Sequence, residues 1–142
     1  MVTQAFAVRV ADWNADRAAL RTVREQVFVR EQGVPIEMEW DESDSMCQHV
    51  VAEAAGYAIG TGRLLQHQHI GRMAVLAPWR GRGVGSALLE ALLQLARGHG
   101  IRRVRLNAQT RAVPFYRKHG FVVEGEEFVE AGIPHCHMGR DI

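Results

Sequence analysis

The pattern of hydrophobic and polar positions predicts a chain in which short strands outnumber helices. Alternating or continuous apolar runs mark seven strand-like segments: residues 6–10, 48–54, 57–65, 67–77, 102–108, 121–125 and 133–140. Helical spacing marks a helix from Asn14 or Asp16 to about Val29, another over residues 84–97, and a short one over 110–119. This order favours an α/β (α+β) fold, with a mixed sheet flanked by helices.

A glycine-rich turn precedes the helix predicted over residues 84–97. The turn reads Arg80-Gly81-Arg82-Gly83-Val84-Gly85-Ser86 and follows an apolar strand in which Gly71 suggests a bulge. A strand, a glycine turn and a helix start together present free backbone N–H groups to an anion, and arginines add forked donors for phosphate oxygens. We therefore expect a phosphorylated ligand here. The alternatives are an ordinary turn and a dinucleotide loop, although Ser86 occupies the third glycine position of that fingerprint.

The helix after this turn has one apolar face at helical spacing. Its members are Val84, Ala87, Leu88, Ala91, Leu92 and Leu95.

Length, charge and composition narrow the class of protein. A chain of 142 residues is most simply one domain, residues 1–142, and a net charge of +1 gives no field that favours nucleic acid or a membrane. The first residues lack a charged region before a long apolar run, so we expect no signal peptide and a cytoplasmic protein. Cys47 and Cys136 match neither a metal nor a redox spacing.

Two histidine pairs and an acidic stretch have alternative readings. His67/His69 and His135/His137 each place two imidazoles on one face of a strand, but no third ligand is evident, so we expect no metal. The acidic residues between positions 37 and 44 form either a solvated loop or a lid that attracts a cationic amine.

A series of motifs in the second half of the chain resembles the GCN5-related N-acetyltransferase (GNAT) superfamily. The series is Arg80-x-x-Gly83-x-Gly85, a strand ending in Asn107, Ala112-x-x-Phe115-Tyr116, and Gly120-Phe121. Further segments, at residues 27–32, 41–49 and 125–135, resemble a small bacterial subgroup whose acceptor is unassigned. The likeness implies the GNAT fold, a mixed central sheet of about six to seven strands flanked by about four helices.

The resemblance also implies a cofactor and its site. In this superfamily the glycine loop wraps the pyrophosphate of acetyl-coenzyme A (acetyl-CoA), and the preceding strand pairs with the pantetheine arm. The loop residues implied here are Arg80, Gly81, Arg82, Gly83, Val84, Gly85 and Ser86, and the strand residues are Met73, Ala74 and Val75. Asn107 is expected to contact the cofactor arm or a bridging water, and Tyr116 occupies the position of the general acid.

The general base is less well defined. Some members carry a glutamate on the strand before the loop, but residues 69–74 contain no carboxylate. The candidates are Glu31, His49, Glu127 and His135, of which we favour Glu127 and His135.

The activity implied is direct transfer of acetyl to the amine of a small molecule or peptide in a ternary complex. Neither cysteine has an evident activating partner, so no acyl-enzyme is expected. The alternatives are a non-catalytic acyl-CoA sensor or partner module and an enzyme that binds another diphosphate. Superfamily members commonly form homodimers through their C-terminal strands, and the oligomeric state of this chain stays open.

Overall fold

The computed structural model describes residues 5–39 and 42–142, and seven strands in this part of the chain form one sheet. The strand order is β1-β2-β3-β4-β5-β7-β6, and every neighbouring pair is antiparallel except β4 and β5. The strands are β1 (Ala7–Ala11), β2 (Gln48–Ala54), β3 (Tyr57–Leu65), β4 (His69–Val75), β5 (Arg103–Gln109), β6 (Val122–Glu130) and β7 (Ile133–Asp141).

Four α-helices flank the sheet within the described ranges: α1 (Trp13–Arg24), α2 (Ile36–Glu39), α3 (Val84–Gly98) and α4 (Val113–Lys118). A π-helical segment, Glu25–Glu31, continues α1, and short 3₁₀ turns occupy Glu42–Met46, Ala77–Trp79 and Thr110–Ala112. The predicted fold class and its strand and helix numbers are confirmed. None of the helices described is long and apolar enough to cross a membrane.

Several predicted boundaries differ from the structure, and two of the differences have a clear local cause. Helix α1 begins at Trp13 because the Asp12 carboxylate caps it, accepting the N–H of Asn14 at 2.8 Å. Strand β6 extends past Gly125 to Glu130, because its pairing with β7 resumes at Phe128 after an irregularity. The apolar pattern that predicts the strand ends at this irregularity, whereas the strand itself continues beyond it.

Helices cover both faces of the sheet. Val50 belongs to the core beneath α3, while Val51, next to it on β2, packs with Leu20 of α1. Helix α3 approaches β3 closely because Gly60 and Gly62 have no side chains: a Cβ there would lie 2.9 Å from Leu88 Cδ1 and 2.8 Å from Leu92 Cδ1.

The buried face of α3 differs in part from the predicted one. Val84, Leu88 and Leu92 are buried as predicted, but the structure half-buries Ala87, Ala91 and Leu95 and fully buries Leu89, Leu93 and Ala96 instead. The helix contacts β1, β2, β3 and β4, so its buried stripe faces the side of the sheet that these four strands form.

Strands β4 and β5 separate soon after they begin to pair. Their parallel register contains only His69↔Arg105 and Ile70↔Leu106. The β3–β4 register is also irregular opposite residues 71–74, where Arg72 adopts a left-handed φ of 50°. The bulge expected near Gly71 is therefore present, and the backbone edges beyond it on β4 and β5 face an opening.

The acidic stretch folds inward and forms a buried ion network with arginines. Arg24, 1% exposed, donates from Nε to Glu39 Oε1 at 2.6 Å and from both terminal nitrogens to the Asp44 carboxylate at 2.9 and 3.1 Å. Arg63 donates to Asp44 Oδ1 at 2.9 Å. The expectation of a solvated loop or an amine-attracting lid is therefore wrong for Glu39 and Asp44, which are 2% exposed and neutralise buried guanidiniums. Asp41 lies outside the described residues.

The two carboxylates respond differently to burial. Burial raises the pKa of Glu39 above its ordinary value, and the charge and hydrogen bond of Arg24 offset this only in part. Burial acts on Asp44 in the same direction, but hydrogen bonds from Arg24 and Arg63 outweigh it and hold the pKa of Asp44 below its ordinary value. Asp44 is thus the carboxylate that most firmly anchors the network.

His49 extends this buried region and predicts how stability depends on pH. Its ring stacks on Trp13 with centroids 4.7 Å apart, and its Nε2 lies 2.8 Å from the carbonyl oxygen of Asp44, so Nε2 donates. Burial lowers the pKa of His49 below its ordinary value. The folded state therefore favours the neutral ring, and its stability is present above the ordinary histidine pKa and is lost as pH falls below it.

We expect the free energy of unfolding to fall between pH 7 and pH 5.5, by up to ~1.4 kcal/mol per pH unit for each such histidine. Urea unfolding across this range measures the slope. His49→Gln keeps a donor for Asp44 and should reduce the slope. The same slope in both proteins would contradict a neutral, buried His49.

Candidate functional site

A cleft of about 960 Å³ occupies the opening between β4 and β5. The π-helical segment covers one side through Val27, Phe28 and Glu31, with Gln32 directly after it. Gln32 and Gln109 join across the cleft with a side-chain hydrogen bond of 2.7 Å. The size fits an extended organic ligand, and the backbone edges on both sides offer it pairing partners.

The structure brings six of the sequence-predicted cofactor residues to the lining of this cleft. They are Met73, Ala74, Val75, Arg80, Asn107 and Tyr116. The first three follow the bulge on β4, beyond the last β4–β5 pair. Asn107 accepts a hydrogen bond at Oδ1 from His137 Nδ1, over 2.7 Å, which fixes its orientation.

The rest of the glycine turn, Gly81–Ser86, continues outside the cleft lining to the start of α3. Gly83 is the N-cap of α3 with a φ of 85°, a left-handed conformation suited to glycine. No side chain in the described part of the chain caps this helix, so its first N–H groups remain open to an anion. Val84 is buried in the core, and Ser86 Oγ lies 3.0 Å from His119 Nε2.

The two loop arginines are held by neighbouring groups. Arg80 donates from Nε to the carbonyl oxygen of Val75 at 2.9 Å and from a terminal nitrogen to Glu31 at 2.8 Å. Arg82 lies over the Trp79 ring, 5.2 Å from its centroid. Arg80 therefore connects the glycine turn, the β4 edge and the helical side of the cleft.

Tyr116 presents a protonated phenol to the cleft. It lies on α4 with its ring packed edge-on against Phe115 and Phe121, at centroid distances of 5.0 and 5.9 Å. Burial raises the pKa of Tyr116 to about 12. The group therefore holds its proton at neutral pH, which is the state a proton donor requires.

The base candidates occupy different places. His135 lines the cleft; its Nδ1 donates to the carbonyl oxygen of Ile133 at 2.7 Å, and its Nε2 lies 3.6 Å from Glu130 Oε2, which also lines the cleft. Glu127 lies outside the lining and accepts from Thr110 Oγ1 at 3.1 Å. Glu31 lines the cleft in its ion pair with Arg80, and His49 is buried against Trp13, away from the lining.

Sequence reasoning missed five charged or titratable groups that line the cleft. They are Arg63 on β3, His69 and Arg72 on β4, Arg111 in the turn before α4, and Glu130 at the end of β6. Burial lowers the pKa of His69 below its ordinary value, and the charge of Arg63 acts in the same direction. An arginine inside a mostly apolar strand is the available signal, because a buried charge needs a partner or a function.

The cysteines make no disulfide. Cys136 is buried on β7, and its Sγ lies 3.8 Å from Thr110 Oγ1.

Comparison with known proteins places this architecture in a family. Residues 14–142 match the family model described as acetyltransferase (GNAT) domain. YjcF of Bacillus subtilis, described as an uncharacterized N-acetyltransferase, is 44% identical over 123 residues, which cover 84% of this chain and 88% of YjcF. Protein ElaA of Escherichia coli is 30% identical over 132 residues, which cover 87% of this chain and 86% of ElaA.

Solved structures agree with these sequence relatives. The crystal structure of Escherichia coli ElaA has a TM-score of 0.85 at 27% identity and covers 96% of this chain and 99% of its own. An acyl-CoA N-acyltransferase from Pseudomonas aeruginosa has a TM-score of 0.83 at 31% identity, covering 97% of this chain and 99% of its own. The chain therefore belongs to the GNAT family of acetyltransferases, and it is an acyltransferase that uses acyl-coenzyme A.

Proposed function

We propose that this protein transfers the acetyl group of acetyl-CoA directly to an amine within a ternary complex. The observation that carries the proposal is the separation of β4 from β5 after two residue pairs, which leaves a strand edge beside a buried, protonated phenol. A pantetheine arm can pair with such an edge as an added strand. The phenol of Tyr116 then lies where a departing thiolate needs a proton.

The cofactor contacts follow from the lining of the cleft. The backbone of Met73, Ala74 and Val75 pairs with the arm, and the diphosphate meets the open N–H groups at the start of α3. Arg80 already donates to Glu31 at 2.8 Å. When it contacts the phosphate, it either breaks this ion pair or uses its remaining donors. Asn107 supports the arm from the β5 side.

The reaction requires two proton movements. The amine nitrogen attacks the thioester carbonyl carbon, and a backbone N–H at the β4 bulge stabilises the resulting oxyanion. The C–S bond then breaks, and the thiolate takes the proton of Tyr116. The amine proton passes to His135 Nε2 through water; Glu127 is the second candidate, acting through a longer path.

Labelled acetyl-CoA incubated with the full chain and a panel of amines tests the activity. Transfer of label to an amine, with one thiol released per acetyl, supports the proposal. Binding of acetyl-CoA without transfer to any amine would instead support a non-catalytic module.

The loop assignment makes a separate prediction. Gly83→Glu places a carboxylate beside the open N–H groups of α3, and we expect acetyl-CoA binding to weaken roughly 10- to 100-fold through the lost helix-end interaction and like-charge repulsion. Calorimetry measures the affinity.

Gly83→Ala is the matched control, since a Cβ there has open space and only the φ of 85° is strained. An affinity for acetyl-CoA in Gly83→Glu equal to that of Gly83→Ala would contradict the assignment.

A further inference from the structure

The middle of β4 brings to the cleft an arginine that has one donor without a partner among the described residues. Arg72 lines the cleft, and its buried Nε has no hydrogen-bond partner among the described residues. This nitrogen lies 3.6 Å from Glu39 Oε1, too far for a hydrogen bond, and that oxygen already accepts from Arg24 at 2.6 Å. A buried donor without an acceptor costs free energy unless a ligand or water supplies one.

The positive charges around Arg72 favour the binding of an anion beside it. A Cβ on Gly71, its neighbour in the bulge, would lie 4.0 Å from Nε and Nη2 of Arg63, so a second guanidinium lies against this part of the strand. Burial lowers the pKa of Arg72 below its ordinary value; the charge of Glu39 opposes this, the positive charges of Arg63 and Arg24 add to it, and Asp44 again opposes it. The protein's own groups therefore compensate the charge of Arg72 incompletely.

The position of Arg72 along β4 assigns it to the acceptor half of the cleft. The proposed cofactor arm runs along Val75, Ala74 and Met73, away from the diphosphate site, and Arg72 is the next residue on the strand. The left-handed φ of 50° at Arg72 belongs to the bulge, where strain is tolerated at functional positions. An anionic group held by Arg72 would lie close to the amine under attack.

We propose that the acceptor is an amine that carries a carboxylate near its nitrogen, such as an amino acid, and that Arg72 binds this carboxylate. The inference rests on the proposed acetyl transfer. The guanidinium fork of an arginine matches a carboxylate with two parallel hydrogen bonds. This charge preference is the reverse of the one expected from the acidic stretch, because Glu39 and Asp44 are buried in the protein while Arg63 and Arg72 line the cleft.

The first experiment compares an equimolar mixture of amino acids with a mixture of the corresponding amino acid amides as acceptors for labelled acetyl-CoA. We expect kcat/KM at least about tenfold higher for the acids. The amides keep more of their amine unprotonated at neutral pH, so intrinsic reactivity favours the opposite result. Equal or better transfer to the amides would overturn the inference and leave the acetyltransferase activity intact.

Substitutions at Arg72 separate recognition from folding. Arg72→Gln should raise KM for the acid acceptor roughly 10- to 100-fold and leave KM for acetyl-CoA unchanged, and Arg72→Lys should lie between. Arg117→Gln, on the exposed side of α4, is the control and should match the unaltered protein. Equal changes in both KM values, or a change in kcat alone, would contradict carboxylate binding by Arg72.

A binding measurement tests carboxylate binding by Arg72 separately from acetyl transfer. If no amine is acetylated, the proposed function is refuted, but the binding measurement still decides whether Arg72 holds a carboxylate. N-acetylalanine and N-acetylalanine amide are titrated into the full chain while the Nε–Hε signal of Arg72 is followed by NMR, assigned by its loss in Arg72→Gln. The site is supported if the Arg72 signal shifts saturably and N-acetylalanine reaches half-saturation at a concentration at least tenfold lower than N-acetylalanine amide does. No saturable shift with the acid, or equal shifts with both, overturns it.

Discussion

Replacement of Tyr116 by phenylalanine is expected to lower the turnover of acetyl transfer roughly 100- to 10,000-fold, the usual contribution of a positioned proton donor. The ring contacts with Phe115 and Phe121 remain, so the variant should fold and bind acetyl-CoA with unchanged affinity. Because burial raises the pKa of Tyr116 to about 12, the donor stays protonated up to about pH 10, and no alkaline loss of turnover below that pH should arise from it. Pre-steady-state kinetics with labelled acetyl-CoA give the rate of the chemical step.

Tyr57→Phe is the matched control. Tyr57 begins β3 at the hairpin and is 75% exposed, so loss of its hydroxyl should leave turnover unchanged. If Tyr116→Phe retains the rate of the chemical step, the thiolate leaves without this phenol and the acid role is refuted.

Removal of the Asp44 carboxylate has the largest expected effect on stability. Asp44→Ala removes the acceptor of two hydrogen bonds from Arg24 and one from Arg63. Arg24 and Asp44 are at most 2% exposed. Breaking a buried pair from one side leaves buried positive charge under-compensated, which typically costs about 3–5 kcal/mol. Urea unfolding measures this as a loss in the free energy of unfolding.

A surface control and a double variant test whether the stability loss in Asp44→Ala comes from the buried ion network. Glu90→Gln removes an exposed partner of Arg97 and should cost less than about 1 kcal/mol. The double variant Arg24→Met, Asp44→Ala should lose less free energy of unfolding than the sum of the two single variants. Each single change leaves a buried charge without its partner, whereas the double change removes both charges. A loss below about 1 kcal/mol for Asp44→Ala would mean that solvent reaches the network and hydrates the arginines.

Much of the fold could be predicted because local chemistry and tertiary structure agree. Strands β2 and β3 were predicted with the bounds that the structure shows, since Ala55-Gly56 adopts the two left-handed conformations of a tight hairpin turn. The glycine turn before α3 was predicted for a related reason: Gly83 supplies the left-handed N-cap that the strand-to-helix connection requires. In both places short segments determine their own conformation.

Features that depend on distant partners were missed. Glu39 and Asp44 have the local appearance of a solvated acidic stretch, and only their contacts with Arg24 and Arg63 reveal their burial. Arg72 likewise appears as one charge in an apolar strand, and its place in the cleft depends on the irregular register between β3 and β4. Side-chain pairing across the fold has no periodic signature, so the positive charge that Arg63 and Arg72 bring to the cleft could not be predicted.

The short contact between β4 and β5 has a consequence for the catalytic cycle. Two residue pairs join β1–β4 to the remaining three strands at this point, so the sheet is nearly divided along its width. The proposed pairing of a pantetheine arm with β4 would add backbone hydrogen bonds where the β4–β5 register has only two residue pairs. In the proposed mechanism, this pairing would form when the thioester binds and be lost when the thiol departs, so the rigidity of the sheet would change within each turnover.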